Sequence, residues 1–212
     1  MNLVKLLLIG LTTIALTACS RTIQWEEEVL LNTGETIVVK RSVLWRLESG
    51  SGAGNIADFA MRPQIDQQIY SFSYRGKDYR YSGGADVGWI AISPTTKNPT
   101  LVANPASFGW DTKNNYFCVT PQYVQFTPLS GGEQWIWPEK IETWLYNLPA
   151  NVMVNIPKPE EKRSPRYSAR DRDQRDAVYR LQSPGGARID PAHKTTCITD
   201  GTKYMNQNRT TK

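Results

Sequence analysis

The chain of 212 residues is long enough for one domain with its own hydrophobic core, or for one domain with a tail. Its formal net charge of +5 is too small to indicate nucleic-acid binding, although it is compatible with a position near anionic lipid or glycan. Its single histidine, His193, excludes every metal site that needs two imidazole ligands.

The first residues have the composition of a secretory signal peptide. A single cation, Lys5, precedes an apolar run from Leu6 to Leu16. This run is too short to cross a bilayer, for which roughly 18 to 20 residues are needed. Small residues then lead to Cys19, so we predict that residues 1–18 are removed.

The order Leu16, Thr17, Ala18, Cys19 resembles the lipobox of bacterial lipoproteins. The resemblance implies cleavage before Cys19 and acylation of that cysteine, whose fatty acyl groups would hold the protein in membrane lipid. In that family, Ser20 after the cysteine implies transfer to the outer membrane. The predicted location is therefore the periplasmic face of the outer membrane, in the cell envelope. The alternative is an ordinary signal peptide with a cysteine after its cleavage site by chance.

Two cysteines remain in the predicted mature chain, Cys118 and Cys197. In an oxidising compartment an even pair is most simply a disulfide, and this one would tie the C-terminal region to the rest of the chain. The alternatives are two free thiols, or a catalytic cysteine that acts with His193. Neither cysteine lies in a Cys-x-x-Cys or other activating pattern, which favours the disulfide.

Two β-prone runs within residues 24–45 predict a hairpin with its turn at residues 32–34. The first run contains three consecutive glutamates at 26–28. Consecutive strand residues point to opposite faces, so these carboxylates cannot share one site, and we interpret them as part of a solvated edge strand. The stretch from Trp25 to Arg41 also resembles the start of uncharacterised proteobacterial lipoproteins, a resemblance that implies no activity.

A second, aromatic hairpin is predicted over residues 68–81. A two-residue type II′ turn at Gly76 and Lys77 would place Tyr74 opposite Tyr79. One face of the hairpin would then carry five aromatic side chains, those of Tyr70, Phe72, Tyr74, Tyr79 and Tyr81. Such a stripe can stack on sugar rings, but packing beneath a second layer of structure is the commoner arrangement.

Further short strands are predicted over residues 87–92, 116–119 and 123–127, and an amphipathic helix over residues 138–148. Pro138 suits the first helical position, and Pro149 ends the helix. Apolar residues recur between them on one helical face, namely Ile141, Trp144, Leu145 and Leu148. We expect this face to cover the sheet. Alternatively, three tryptophans form an aromatic platform for a glycan or a partner, namely Trp135, Trp137 and Trp144.

The composition changes after residue 156 to Pro, Lys, Glu and Arg, and a polar helix is predicted over residues 166–182. Asp171, Asp173 and Asp176 have part of the spacing of a calcium loop but lack its glycine and terminal glutamate. The predicted organisation is a signal peptide (1–18), a β-rich domain (19–156) and a charged C-terminal region (157–212). The fold class is α+β and mainly β, an antiparallel meander or small sandwich with one helix packed on it.

The mature chain contains no catalytic motif, such as the Gly-x-Ser-x-Gly elbow of serine hydrolases. We therefore expect no catalytic residue, no cofactor and no metal, but a module that binds an envelope protein or glycan. Its candidate binding surface consists of Tyr70, Tyr74, Tyr79, Tyr81, Trp135 and Trp137. The alternative is an envelope glycan or peptidoglycan hydrolase that uses paired carboxylates. The acids in or near loops are Asp58, Asp66, Asp86 and Asp111.

Overall fold

A computed structural model of the chain describes residues 20–48, 62–105, 113–114, 116, 120–138, 140–182 and 187–192. These residues form nine strands and an α-helix of 14 residues, which confirms the α+β, mainly β class. Within this part of the chain, no helix combines the length and the apolar character needed to span a membrane.

Five strands form the first sheet: β1 (Ser20–Leu30), β2 (Thr36–Glu48), β3 (Arg62–Tyr74), β4 (Lys77–Gly83) and β9 (Arg166–Tyr167). Their order across the sheet is β4-β3-β2-β1-β9. Strands β1 to β4 are antiparallel to their neighbours, and β9 runs parallel to β1. The first hairpin turns where it was predicted, with Gly34 at a φ of 84° that suits glycine.

The aromatic hairpin forms between β3 and β4, but its predicted turn was wrong. Arg75 and Gly76 occupy the turn, with φ values of 50° and 74°, which is typical of a type I′ turn. Tyr74 consequently pairs with Lys77 and not with Tyr79. Because side chains alternate between faces with a period of two, this two-residue shift leaves the aromatic side chains on one face, as predicted.

The second sheet consists of β5 (Asp86–Ile92), β6 (Pro99–Asn104), β7 (Val124–Pro128) and β8 (Trp135–Ile136), antiparallel and in chain order. Its inner face packs against the inner face of the first sheet, and side chains from both sheets form one core. Every residue of β5 is buried because the outer face of this sheet is covered as well. Of the two predicted architectures, an antiparallel meander and a small sandwich, the structure is therefore the sandwich.

The segment that covers the second sheet is not the predicted helix over residues 138–148. In the described part of this segment, which omits residue 139, the helical structure is a single 3-10 turn at Thr143–Leu145. The apolar side chains nonetheless pack on the sheet as expected, namely Ile141, Trp144, Leu145 and Leu148. An α-helix does not form because distant residues bind the backbone: Glu142 N–H donates to Gln125 Oε1, and Asn147 N–H donates to Ile189 O.

The polar C-terminal helix forms as α1 (Ala169–Gln182). Ser168 and Asp171 form a capping box, in which each side chain accepts a hydrogen bond from the other residue's backbone N–H. The Ser168 hydroxyl, at 2.7 Å, and the Ser168 backbone N–H both donate to the Asp171 carboxylate, and they hold the pKa of Asp171 below its ordinary value. Arg172 attaches the helix to the sandwich by donating to the backbone oxygens of Glu28 and Asn151.

Two asparagine side chains form hydrogen bonds with the backbone of β5 along its outer edge, the edge opposite β6. Asn32 accepts from Ile92 N–H at 2.7 Å and donates to Ile92 O at 3.0 Å. Asn151 accepts from Ile90 N–H at 2.9 Å and donates to Ile90 O at 2.7 Å and to Leu30 O at 2.8 Å. Each amide supplies the donor and the acceptor that a neighbouring strand would supply.

Replacing Asn151 by aspartate is expected to lower the free energy of unfolding by about 2 kcal/mol. A carboxylate keeps the acceptor for Ile90 N–H, but it cannot donate to the Ile90 and Leu30 oxygens and repels them. Urea denaturation measures the loss. The control is Asn98→Asp, in a turn where the backbone of Asn98 accepts from Ser93 N–H. An equal loss in both variants would show that the hydrogen bonds donated by the Asn151 amide do not stabilise the edge of β5.

Candidate functional site

The four tyrosines of the predicted binding surface lie in the core of the sandwich, and this part of the prediction was wrong. Tyr70, Tyr74, Tyr79 and Tyr81 are each at most 5% exposed. The second sheet and its loops cover them: the Tyr81 ring, for example, lies 4.9 Å from that of Phe126, centroid to centroid. Packing beneath a second layer, the alternative considered for this stripe, is therefore their role.

The two tryptophans of the predicted surface differ in exposure. Trp135 is partly buried against the core, and its Nε1 donates to Arg80 O at 2.8 Å. Trp137 is 45% exposed and lies beside Ile136, which is 50% exposed. Trp137 is thus the member of the predicted set that is well placed to contact a ligand.

The remaining predicted site residues fall partly outside the described residues. Those outside are Cys19, Asp58, Asp111, Cys118, His193 and Cys197. The lipid anchor and the disulfide therefore stay predictions. Asp66 lies at the surface and pairs with Arg46 at 2.9 Å. Among the residues that the structure does describe, no three His, Cys, Asp or Glu side chains are grouped to hold a metal ion.

A buried polar cluster lies on the inner face of the first sheet and was not predicted from the sequence. Arg41 is 1% exposed, and its Nη1 lies 3.3 Å from Oε1 of the fully buried Glu27. Arg41 Nη2 donates to Gln68 Oε1 and to Tyr70 Oη, each at 2.8 Å. The guanidinium also lies over the rings of Trp25 and Tyr70, at 4.8 and 4.5 Å from their centroids. The interpretation of Glu27 as a solvated residue was wrong.

The sequence did contain a signal for this cluster. Glu27 has Trp25 and Val29 two residues away on either side, and Arg41 lies in the same way between two valines. Because residues two apart in a strand share a face, both charged residues belong to the apolar, core-facing side of their strands. Opposite charges on the buried faces of paired strands indicate a buried ion pair.

Two carboxyls lie near Arg41, one in each sheet. Burial raises the pKa of Glu27, Arg41 opposes this, and the Glu27 carboxylate accepts from Met153 N–H at 3.1 Å. Burial also raises the pKa of Asp86, the first residue of β5, to about 6, against the lowering effect of Arg41. Within the described part of the chain, Asp86 Oδ1 has no hydrogen-bond partner. Both carboxyls therefore lie in the core, away from solvent.

The outer face of the first sheet carries charged and polar side chains together with the partly exposed Val38 and Ile69, and it forms two adjacent grooves. The first has a volume of about 690 Å³ and reaches residues 131–133 in the loop between β7 and β8. The second has a volume of about 590 Å³ and reaches residues 165–166 at β9. Lys40, Ser71 and Arg80 line both grooves, so they mark the place where the grooves meet.

These three residues belong to a row of paired residues that crosses the whole first sheet, which we name the cross-strand row. In strand order the row is Arg166, Glu26, Lys40, Ser71 and Arg80. Adjacent strands lie about 4.8 Å apart, so the row spans roughly 19 Å. Lys40 and Arg80 consequently stand about 10 Å apart, with Ser71 between them.

The cations of the cross-strand row differ in how far carboxylates neutralise them. Arg166 Nη2 lies 3.0 Å from Glu28 Oε1. Lys40 Nζ lies 3.9 Å from Glu26 Oε1, and the lysine side chain is 74% exposed. Arg80 is exposed, and in the described part of the chain no carboxylate lies within ion-pair distance of it. The β2–β4 end of the row, from Lys40 to Arg80, therefore presents cationic hydrogen-bond donors to solvent.

Comparison with known proteins identified no relative. No protein-family model matches the chain, and neither the curated proteins nor the solved structures contain a match to it.

Proposed function

We propose that this chain is a lipid-anchored envelope protein that binds a partner and is not an enzyme, at the periplasmic face of the outer membrane. The observation that supports binding is the outer face of the first sheet, where two grooves meet at the polar side chains of Lys40, Ser71 and Arg80. The hydrolase alternative receives less support, because Glu27 and Asp86, two acids with raised pKa values, are buried and lie beside Arg41.

The position of the predicted anchor gives the grooves an orientation. Strand β1 begins at Ser20, directly after Cys19, so an acylated Cys19 would bring this end of the sheet to the lipid surface without a tether. Glu26, in the cross-strand row, follows Ser20 by six residues, which is about 20 Å along the strand. The grooves would therefore stand clear of the lipid headgroups and face the periplasm.

Changing Cys19 to alanine is expected to abolish palmitate incorporation and to remove the protein from the outer-membrane fraction. The acyl chains anchor the mature protein in the proposal, and without the cysteine the signal peptidase of lipoproteins does not cleave, so the precursor keeps its signal peptide and stays behind in the inner membrane. The control is the double variant Cys118→Ala/Cys197→Ala, which removes the two cysteines of the predicted disulfide but should leave palmitate incorporation and the outer-membrane location unchanged. Normal processing of Cys19→Ala and its retention in the outer membrane at the parent level would contradict the anchoring part of the proposal.

The binding part is tested in the same cells with a photoreactive amino acid at position 71. The grooves meet there, so ultraviolet light should produce an adduct with an envelope component. The matched control carries the photoreactive group at position 178, because Val178 is 64% exposed and lies on α1, away from the grooves. Identical adducts from both positions, or none from position 71, would contradict binding at the outer face.

A further inference from the structure

We infer that the β2–β4 end of the cross-strand row, Lys40–Ser71–Arg80, binds an acidic oligosaccharide. The inference rests on the proposed function and names the ligand class of the same face. Three features support it, namely the two cations on either side of Ser71, the hydroxyl and amide groups in the grooves, and the distance of the grooves from the predicted lipid surface.

The described residues that line the two grooves include three exposed cations, Lys40, Arg80 and Arg166, and three acids; of these six, Lys40 and Arg80 alone line both grooves. Glu26 lies beside Lys40 at one end, and Asp78 and Glu133 line the far part of the first groove. Asp78 is already engaged, since its carboxylate accepts a hydrogen bond from the Ser73 hydroxyl. Between Lys40 and Arg80 the row contains the hydroxyl of Ser71 and no acid. A carboxylate seated there would meet a cation on each side and a hydroxyl donor below.

The lining of the grooves favours a hydroxyl-rich ligand. Hydroxyl and amide groups surround Lys40 and Arg80, namely those of Gln24, Ser42, Ser71 and Ser73. The large aromatic side chains of β3 and β4 point to the opposite face and are buried, and the partly exposed apolar side chains that β2 and β3 add to the grooves, Val38 and Ile69, are smaller than the aromatic anchors that dominate protein–protein interfaces. Recognition would therefore depend on charge and hydrogen bonds, which makes it sensitive to salt.

The shape and position of the grooves favour a chain over a headgroup. The two grooves are continuous at the row, which is roughly 19 Å long, so a short oligosaccharide can lie across it. A lipid headgroup would meet the other end of the sheet, near Ser20 and its paired residue Arg46, about 20 Å away along β1 and β2.

The test is isothermal titration calorimetry of the full mature chain with tetragalacturonic acid as the acidic probe and maltotetraose as the neutral one. We expect the acidic probe to bind at least about tenfold more tightly than the neutral one. The affinity for the acidic probe should fall as the ionic strength is raised, because the pairing occurs at an exposed face.

Variants locate the binding. Lys40→Gln and Arg80→Gln are each expected to weaken the binding of tetragalacturonic acid by about three- to tenfold, because each removes one charge-assisted hydrogen bond at an exposed site. The matched control is Arg46→Gln, which removes a cation from the same sheet outside both grooves and should change the affinity by less than about twofold. Unchanged thermal midpoints show that the variants are folded.

Three results would overturn the inference: equal binding of maltotetraose, unchanged affinity in the double variant Lys40→Gln/Arg80→Gln, or tighter binding of a hexaglutamate peptide. The last result would identify an acidic peptide as the ligand class. If tetragalacturonic acid fails to bind while the Cys19 anchor and the adducts from position 71 are present, the glycan inference alone is overturned. If the Cys19 anchor is contradicted by fractionation, or position 71 gives no adduct, the proposed function is contradicted whatever the titration shows.

Discussion

Replacing Arg41 by methionine is expected to lower the free energy of unfolding by about 3 to 5 kcal/mol. The change leaves Glu27 as an uncompensated charge in the core. It also removes the donor that Gln68 Oε1 and Tyr70 Oη share. Urea denaturation followed by tryptophan fluorescence measures the loss.

The loss should become smaller as the pH falls. Burial raises the pKa of Glu27 even in the presence of Arg41, which opposes the effect, so removing Arg41 raises this pKa further. The native state then binds a proton more tightly than the unfolded chain does, and acid stabilises the variant relative to the parent. The difference between the two proteins should therefore be larger at about pH 7.5 than at about pH 5. A loss that does not vary with pH would assign the effect to packing alone.

Two further variants separate the charge of Arg41 from its shape. The double variant Glu27→Gln/Arg41→Met removes both charges, so it should regain a large part of the stability lost by Arg41→Met. Arg41→Lys keeps the positive charge but lacks the planar guanidinium that donates to several partners, so its stability should be intermediate. If the double variant is as unstable as Arg41→Met, the unpaired Glu27 carboxylate is not the cause of the loss.

The hairpins of the first sheet could be predicted because their signals are local. Alternating side chains fix which face each residue occupies, and glycine at position 34 supplies the positive φ that the first turn needs. The second turn was misplaced by one residue, because Gly76 suits the first position of a type II′ turn as well as the second position of a type I′ turn. The prediction that the aromatic residues share one face remains correct, because the pairing is shifted by two residues and side chains alternate between faces with a period of two.

The segment over residues 138–148 shows where local signals fail. Its apolar residues have helical spacing, and they do pack on the sheet, but an irregular segment can bury the same side chains. Its backbone partners come from Gln125 and Ile189, and spacing within the segment contains no information about them. Tertiary hydrogen bonds therefore override a weak helical preference here.

The candidate site could not be predicted for a related reason. Which face of the aromatic hairpin is covered depends on the second sheet, so the sequence placed the tyrosines on one face without showing that the opposite face is the accessible one. The cross-strand row depends on the register of five strands, including β9, whose Arg166 bonds to Glu28 across 138 residues of chain. Registers between distant strands are set by the packed core as a whole.

Replacing Asp86 by asparagine is expected to stabilise the protein at neutral pH. The pKa of the Asp86 carboxyl is raised to about 6 in the folded protein, chiefly by burial; Arg41 and Gln68 oppose the rise, and Asp176 and Glu27 add to it. The native state therefore holds the proton more tightly than the unfolded chain. Because of this, the carboxyl's contribution to stability is greatest below about pH 4 and falls as the pH rises to about 6. At a pH where the carboxyl is ionised in both states, the rise from 3.8 to about 6 lowers the free energy of unfolding by about 3 kcal/mol.

Asparagine has nearly the shape of aspartate but does not ionise, so Asp86→Asn should exceed the parent in free energy of unfolding by up to about 3 kcal/mol at about pH 7.5 and by little at about pH 4. The comparison must be between variant and parent, because Glu27 also has a raised pKa and gives the parent a pH dependence of the same sign. Asp78→Asn, at an exposed position, serves as the control and should not change the pH dependence in this way. Asp86→Asn could instead be less stable than the parent at about pH 7.5. That result would mean that the attraction between the Asp86 carboxylate and Arg41 outweighs the cost of burying the charge. Asp86 would then belong with Glu27 among the groups that hold Arg41 in the core.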